Sequence, residues 1–233
     1  MAATVADSGF HSARKPGLTV EEIVRAAIEL ADAEGVDALS MRRLASELGV
    51  GTMSLYRYVP GKAELVDLML DAVHGEVADP PPGAEGWRAL LEHHAREGWA
   101  MHRRHPWAIT AYTRPVLGPN VLDGYEAMLR AVAGTGLSPG DTVNAAELVA
   151  GYVAGAARSA AEGAEAQRRT GVSDDQWWSV RESFWERYFD VERYPAISAM
   201  WDSEAFEARA DAFESGLQRV LDGIEAYLRP KAT

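Results

Sequence analysis

The sequence predicts an all-α chain in two unequal parts, a small N-terminal head and a larger helical body. Apolar residues recur at three- and four-residue steps, and no stretch alternates apolar and polar over the length of a strand. Gly134, Gly136, Pro139, Gly171 and Pro195 interrupt those periods and mark joints, giving about ten helices. Charge and aromatic content divide the chain. Its net charge is −12, from 23 Lys and Arg against 35 Asp and Glu. Residues 1–62 carry seven basic and eight acidic groups, so nearly all the acidity lies beyond them. All 7 Trp fall between Trp87 and Trp201. The stiff joint Asp79-Pro80-Pro81-Pro82-Gly83 lies near the change in composition.

Composition excludes several classes of function. With 233 residues, 47% of them hydrophobic and 25% charged, this is an ordinary globular chain. There is no Cys, which removes disulfides, thiolate metal sites and a thiol nucleophile. No G-x-G-x-x-G follows a strand, and neither G-x-x-x-x-G-K-[ST] nor G-x-S-x-G is present. The start has no apolar signal region, and the uncharged run Leu148–Ala157 is far shorter than the ~20 residues a membrane helix needs. A soluble cytoplasmic protein without a membrane segment is expected.

The elements follow in order. Residues 1–17 are expected to be a flexible tail whose Arg14 and Lys15 can approach phosphate. Thr19 and Glu22 form a capping box, and Leu18 is placed to staple onto Ile23. Val20, Ile23, Val24, Ala27, Ile28 and Ala31 give the first helix one apolar stripe, and Gly35 stops it. Ser40 caps a second helix through Leu48, with Leu39 and Leu44 as its staple. A third, very short helix fits Thr52–Tyr58. After Pro60-Gly61, Lys62 opens a fourth, with Leu65, Leu68, Met69, Ala72 and Val73 on its apolar side. Further helices are expected at 85–104, 106–112, 119–133, 140–169, 173–189 and 204–228. The division is placed at 18–64 for the head and 65–233 for the body.

Residues 39–58 carry the functional signal. Helix, glycine turn and second short helix make a helix-turn-helix: Ala45 permits close approach, Gly49 takes a left-handed turn, and Val50 and Leu55 set the crossing. The second helix of such a motif lies in the DNA major groove. Thr52, Met53 and Ser54 would then face base edges, where hydroxyls hydrogen-bond and a thioether packs on thymine methyl. Tyr56, Arg57, Tyr58 and Lys62 are long donors suited to phosphates, and Ser40 and Arg42 can hold another phosphate at the start of the preceding helix. Arg42, Arg43, Arg57 and Lys62 stand against Glu47 alone between residues 40 and 62, a basic patch on an acidic chain. A buried helical corner would not crowd Tyr56, Arg57, Tyr58 and Lys62 together.

Ala26-Ala27, Gly35, Ser40-Met41-Arg42-Arg43-Leu44-Ala45, Leu48-Gly49-Val50, Ser54-Leu55-Tyr56, Tyr58-Val59 and Lys62-Ala63-Glu64-Leu65 together resemble the DNA-binding domain of the tetracycline-repressor (TetR) family over residues 19–70. The resemblance implies a three-helix DNA-binding head joined by the fourth helix to an all-α ligand-binding and dimerisation body. It also implies DNA contact at Arg42, Thr52, Met53, Ser54, Tyr56, Arg57, Tyr58 and Lys62. The body is similar, more weakly, to the family's tetracycline-binding C-terminal domain. Thr113-Arg114-Pro115 matches a ligand-loop triplet there. Thr110 stands where that domain has a magnesium-ligating histidine, and Ala160 lies near its expected carboxylate, so the resemblance does not carry a magnesium–tetracycline ligand.

Two stripes in the body signal helix packing. Gly151, Gly155, Ser159 and Gly163 recur every four residues. Phe206, Ala210, Phe213, Leu217, Val220, Ile224 and Tyr227 alternate four- and three-residue steps like a coiled-coil seam. The family resemblance assigns both helices to a homodimer interface. Any single aromatic is ordinarily core, but the set from Trp99 to Trp201 implies an apolar, aromatic-lined pocket. Its candidate residues are Trp99, His102, Trp107, Thr110, Thr113, Arg114, Tyr125, Met128, Tyr152 and Trp177, with Pro80–Gly86 and Thr113–Gly118 as loops. His93, His94, His102 and His105 cluster, yet no H-E-x-x-H is present and no metal site or cofactor is expected. The expected function is a ligand-responsive repressor that binds a palindromic operator as a homodimer and is released by a small apolar or aromatic effector. Two alternatives remain at this level: a small-molecule-binding or catalytic protein with a vestigial head, and a ligand-independent architectural DNA binder.

Overall fold

The computed structural model describes residues 18–111, 116–203, 205 and 212–228, with backbone alone at 174, 175, 182, 183, 185 and 186. Among the described residues the chain forms eleven α-helices and one short 3-10 turn, and no strand. The tail 1–17 with Arg14 and Lys15, the loop residues Tyr112, Thr113, Arg114 and Pro115, and Phe206 and Ala210 of the seam lie outside the described residues, as does the side chain of Trp185.

The head forms as its capping signals dictate. In α1 (Val20–Glu34) the capping box is complete: the Glu22 N–H donates to Thr19 Oγ1 at 3.2 Å and the Thr19 N–H to Glu22 Oε2 at 3.0 Å. Ser40 Oγ accepts from the Arg43 N–H at 3.2 Å and starts α2 (Met41–Glu47). Gly49 takes φ +65°, a left-handed turn that leads into α3 (Thr52–Tyr56). Ile23, Ala27, Leu44, Leu55 and Val59 are sealed between these helices.

α4 (Lys62–His74) leaves the head and joins its core through Leu65, Met69, Leu70 and Val73. Leu68, expected on the apolar side, is 39% exposed. At 100° per residue it lies about 60° behind Leu65, outside the arc of Leu65, Met69, Val73 and Leu70. The head's core does not end at residue 64. It continues through α4 into Met101, Trp107, Ala108 and Val116, so that division is one of chain, not of core.

The body consists of α5 (Trp87–Arg104), α6 (Pro106–Ala111), α7 (Pro119–Val132), α8 (Pro139–Thr170), α9 (Asp174–Tyr188), α10 (Pro195–Asp202) and α11 (Ala212–Leu228). Ser138 caps α8, and Gly171 ends it at φ +70°. α5, α7, α8 and α11 enclose a second core around Leu91, Val132, Val149, Leu217 and Leu221. Arg88 pairs with Asp222 at 2.7 Å and Glu225 at 3.1 Å, and Arg96 with Glu214 at 2.6 Å, tying α5 to α11. The helix expected at 204–228 is described from residue 212, and α10, which the sequence reading did not anticipate, precedes it.

Of the described seam residues on α11, Phe213, Leu217, Val220 and Ile224 face inward, while Tyr227 is 59% exposed. Leu217 is fully covered and Ile224 nearly so by their own chain, Val220 packs on the same core, and Phe213 stacks on Trp99. Leu217 and Ile224 therefore cannot meet a partner, which corrects their assignment to a dimer interface. The outward face of α11 carries Ser215, Arg219, Gly223 and Ala226 instead. From Arg158 to Ser203 no described side chain is buried. Val180, Phe184, Tyr188, Val191 and Trp201 on this arm are all more than half exposed.

Candidate nucleic-acid interface and effector cavity

The turn at Gly49 sets α3 on the surface of the head with its polar side outward. Leu55, fully buried, and Val59 just beyond the helix anchor it. Met53 is 77% exposed, Tyr56, Arg57 and Tyr58 are exposed, and Thr52 and Ser54 are half-buried along the same edge. The three candidate base readers and the three candidate phosphate donors thus share one short segment.

The four cations of the basic patch differ in freedom. Arg43 is held by Glu34 at 2.5 Å. Lys62 Nζ donates to the Val36 carbonyl at 3.0 Å, bracing the start of α4 against the 3-10 turn. Arg42 and Arg57 are exposed and make no ion pair among the described residues, so both guanidinium forks are available for phosphate. Ser40 uses one lone pair on its own cap, and its hydroxyl proton remains free to donate.

A cavity of about 500 Å³ lies in the body between α5, α7 and the turn before α5. Pro80, Leu90, Ala127 and Ala131 supply apolar wall. Asp79, Asp123 and Glu126 line it too, and Arg130 pairs with Glu126 at 2.7 Å. His94 completes the lining; burial and then the neighbouring His93 hold its pKa below the ordinary value, against the pull of Asp79.

Of the ten pocket candidates, the eight among the described residues do not line this cavity, although Pro80 of the expected loop does; Thr113 and Arg114 lie outside the described residues. Trp99 stacks on Phe213 with centroids 4.6 Å apart, and Phe213 stacks on Tyr152. The Tyr152 hydroxyl donates to the Phe213 carbonyl at 2.7 Å, so Trp99 and Tyr152 knit α5, α8 and α11 together. Met128 packs on that core, and Tyr125 is half-buried on α7. Thr110 is exposed and donates to the Trp107 carbonyl at 2.9 Å.

Trp107 corrects the pocket expectation: it is 4% exposed in the head's core, and its Nε1 donates to Asp32 of α1 at 2.7 Å. Trp177, also placed in the pocket, is 40% exposed, with Trp178 edge-on and the Arg181 guanidinium 3.9 Å above its ring. Among the described residues no three potential ligands stand close enough to hold a metal ion.

His102 is half-buried and its Nδ1 has no hydrogen-bond partner. Burial first, then His74 and His105, push its pKa down to about 4, so it is neutral at pH 7. His105 is the buried polar side chain among the described residues. Its Nδ1 lies 2.8 Å from Asp32 Oδ1 and its Nε2 3.1 Å from Glu76 Oε2. In the sequence it is only one of the cluster His93, His94, His102 and His105. The signal that could have found it is its place at the α5–α6 joint, where a side chain must point back toward the head.

Two families match this arrangement. Residues 23–69 match the TetR family of bacterial regulatory proteins, and residues 79–228 match the tetracyclin repressor-like C-terminal domain. This chain belongs to the TetR family of bacterial transcriptional regulators. It is 47% identical over 226 residues to the HTH-type transcriptional repressor DrrR1 of Streptomyces coeruleorubidus, covering 95% of this chain and 83% of that protein. It is 32% identical over 209 residues to the class A tetracycline repressor protein of Escherichia coli, covering 87% and 88% of the two chains. The crystal structure of Streptomyces coelicolor ActR in complex with actinorhodin superposes with a TM-score of 0.76 at 28% identity, covering 92% of this chain and 99% of that one. A TetR-family head on a body of this kind makes the chain a ligand-responsive, DNA-binding repressor.

Proposed function

We propose that a homodimer of this chain represses transcription by inserting α3 of each subunit into the major groove of a palindromic operator, and that a small apolar or aromatic effector bound in the body releases it. The observation that carries the reading is the outer edge of α3: Thr52, Met53, Ser54, Tyr56, Arg57 and Tyr58 presented together on a segment locked from behind by Leu55. Thr52, Met53 and Ser54 read bases, while Ser40, Arg42, Tyr56, Arg57, Tyr58 and Lys62 hold phosphates. A two-fold dimer doubles this small contact set across half-sites ~34–36 Å apart.

Gly151 and Gly155 support dimerisation through α8, since both face open space where a second backbone can approach. Leu148 and Ser159 lie on the same exposed stripe, with Gly163 half-buried beyond them. A second copy would also cover apolar surface on the arm 158–203, which its own chain leaves bare.

The cleft beside Leu90, Ala127 and Ala131 is within the ~300–1,000 Å³ range of small-molecule sites. It is the effector site in this reading. The protein acts as a cytoplasmic regulator, not an enzyme, and needs no cofactor or metal. No helix of the described residues is long and apolar enough to cross a membrane.

Replacing Tyr56 and Arg57 together by Ala tests the surface. Operator affinity is expected to fall at least tenfold, and the slope of log affinity against log salt to fall by about one for the lost phosphate contact. Unchanged affinity with an unchanged slope would show that α3 is not the reading surface.

A further inference from the structure

The polar network around His105 crosses the boundary between head and body. Asp32 belongs to α1, Glu76 follows α4, Arg104 ends α5, His105 is the joint, and Trp107 opens α6. Asp32 Oδ1 accepts from Trp107 Nε1 at 2.7 Å and faces His105 Nδ1 at 2.8 Å. Glu76 faces His105 Nε2 at 3.1 Å and pairs with Arg104 at 3.4 Å. Both ring nitrogens face carboxylate oxygens within hydrogen-bond distance. The ring is 7% exposed, so these partners are not exchanged freely for water.

Around this network the contact of α1 with α4, α5 and α6 is apolar. Ile23, Ala27, Met69, Met101 and Ala108 pack without directional bonds. Apolar burial is non-directional and tolerates sliding. Hydrogen bonds fail when stretched by a few tenths of an ångström or bent far from linear. The position of α1 on the body is therefore defined at Asp32 and His105, as buried polar groups fix register in other packed helices.

We propose that His105, clamped between Asp32 and Glu76, is the positioning residue that fixes each head on the body and so selects the half-site spacing the dimer accepts. Changing an operator's spacer by one base pair moves a half-site by about 3.4 Å along the axis and turns it by roughly 35°. A head held by the network cannot follow that movement. A head held by apolar contact alone can.

This rests on the operator reading above. The test uses the full-length dimer, a palindromic duplex obtained by in vitro selection, and the same duplex with one base pair added to or removed from its centre. Wild type is expected to bind the selected spacing at least tenfold more tightly than either neighbour. His105→Leu and Asp32→Asn are expected to reduce that ratio below about threefold. Glu76→Gln supplies the same reading if His105→Leu does not fold. A merely structural role would weaken binding to all three duplexes alike and leave the ratio unchanged, and that result overturns the proposal. So does a wild type that binds all three spacings equally. Failure to select any palindrome would overturn the operator reading itself, a separate and recognisable outcome.

Discussion

The carboxylate of Asp71 in α4 fills the space that a Cβ on Gly118 would need at the start of α7. From there it accepts the Val121 N–H at 3.1 Å and the Asn120 amide at 3.0 Å, capping α7 from a different helix. A Cβ on Gly75 would likewise crowd the Asn120 side chain, though less severely. The helix that carries the head is thereby fastened to the wall of the cleft between α5 and α7, since α7 also supplies Asp123, Ala127 and Ala131.

Asp71→Ala is expected to lower stability by about 1–2 kcal/mol, because the Val121 N–H loses its cap. Gly118→Ala is expected to cost about 1–3 kcal/mol by forcing that carboxylate out. Urea midpoints of the two variants check both. If Gly118→Ala matched wild type, the close approach of α4 to α7 would be wrong.

Gly216 plays the same part on the other side of the body, where its missing side chain admits the Tyr152 ring. Tyr152→Phe removes only the hydroxyl's bonds to the Phe213 and Ala212 carbonyls and is expected to cost about 1 kcal/mol. Gly216→Ala is expected to cost more, because the whole ring must move. Thermal melting of both variants orders them.

The α11 seam shows how far such packing was legible beforehand. Its four- and three-residue spacing marks a packed face at Phe213, Leu217, Val220 and Ile224, because periodicity reports burial, while Tyr227 at its end is exposed. It could not report whose residues do the burying: Leu217 and Ile224 meet α5 and α8 of their own chain. The head was legible in more detail, since Thr19, Ser40 and Gly49 act within a few residues of sequence. The aromatics were misread for the converse reason. Trp99 and Trp107 find partners at Phe213 and Asp32, far along the chain, and nothing local announces them. The cleft by Leu90 and Ala127 went unseen because its wall is made of small, ordinary residues.

His102 makes stability depend on pH. Its folded pKa of about 4 lies below the ordinary 6.5, so protons bind the unfolded chain first as pH falls. Its contribution is complete above pH 6.5 and is lost progressively between 6.5 and about 4, a change on the order of 3 kcal/mol. Urea midpoints at pH 7 and pH 5 are expected to differ less in His102→Leu than in wild type. An identical difference in both would contradict the burial of this ring.

Glu214 acts lower on the scale. Hydrogen bonds from Arg96 and Gln218 hold its pKa at about 2, so its contribution is present above the ordinary carboxylate range and fades as pH falls toward 2. Arg96→Met is expected to make the chain less resistant to acid between pH 4.5 and 2, measured by acid titration of the circular dichroism signal. The effect is modest because the pair is exposed.

Arg42 and Lys62 separate binding from folding. Arg42→Ala is expected to lower the salt slope of operator binding by about one with no change in melting temperature. Lys62→Ala also unties the Val36 carbonyl, so binding and stability should fall together. Titrations at several salt concentrations, paired with melts, distinguish the two.

The most direct test of the central claim is selection of the purified full-length protein against a randomised duplex library at near-physiological salt. A homodimer reading DNA through α3 enriches a palindrome whose half-sites are centred about one helical turn apart, and the Tyr56, Arg57 double substitution abolishes the enrichment. Recovery of sequences without two-fold symmetry, or only salt-sensitive binding without preference, would contradict it.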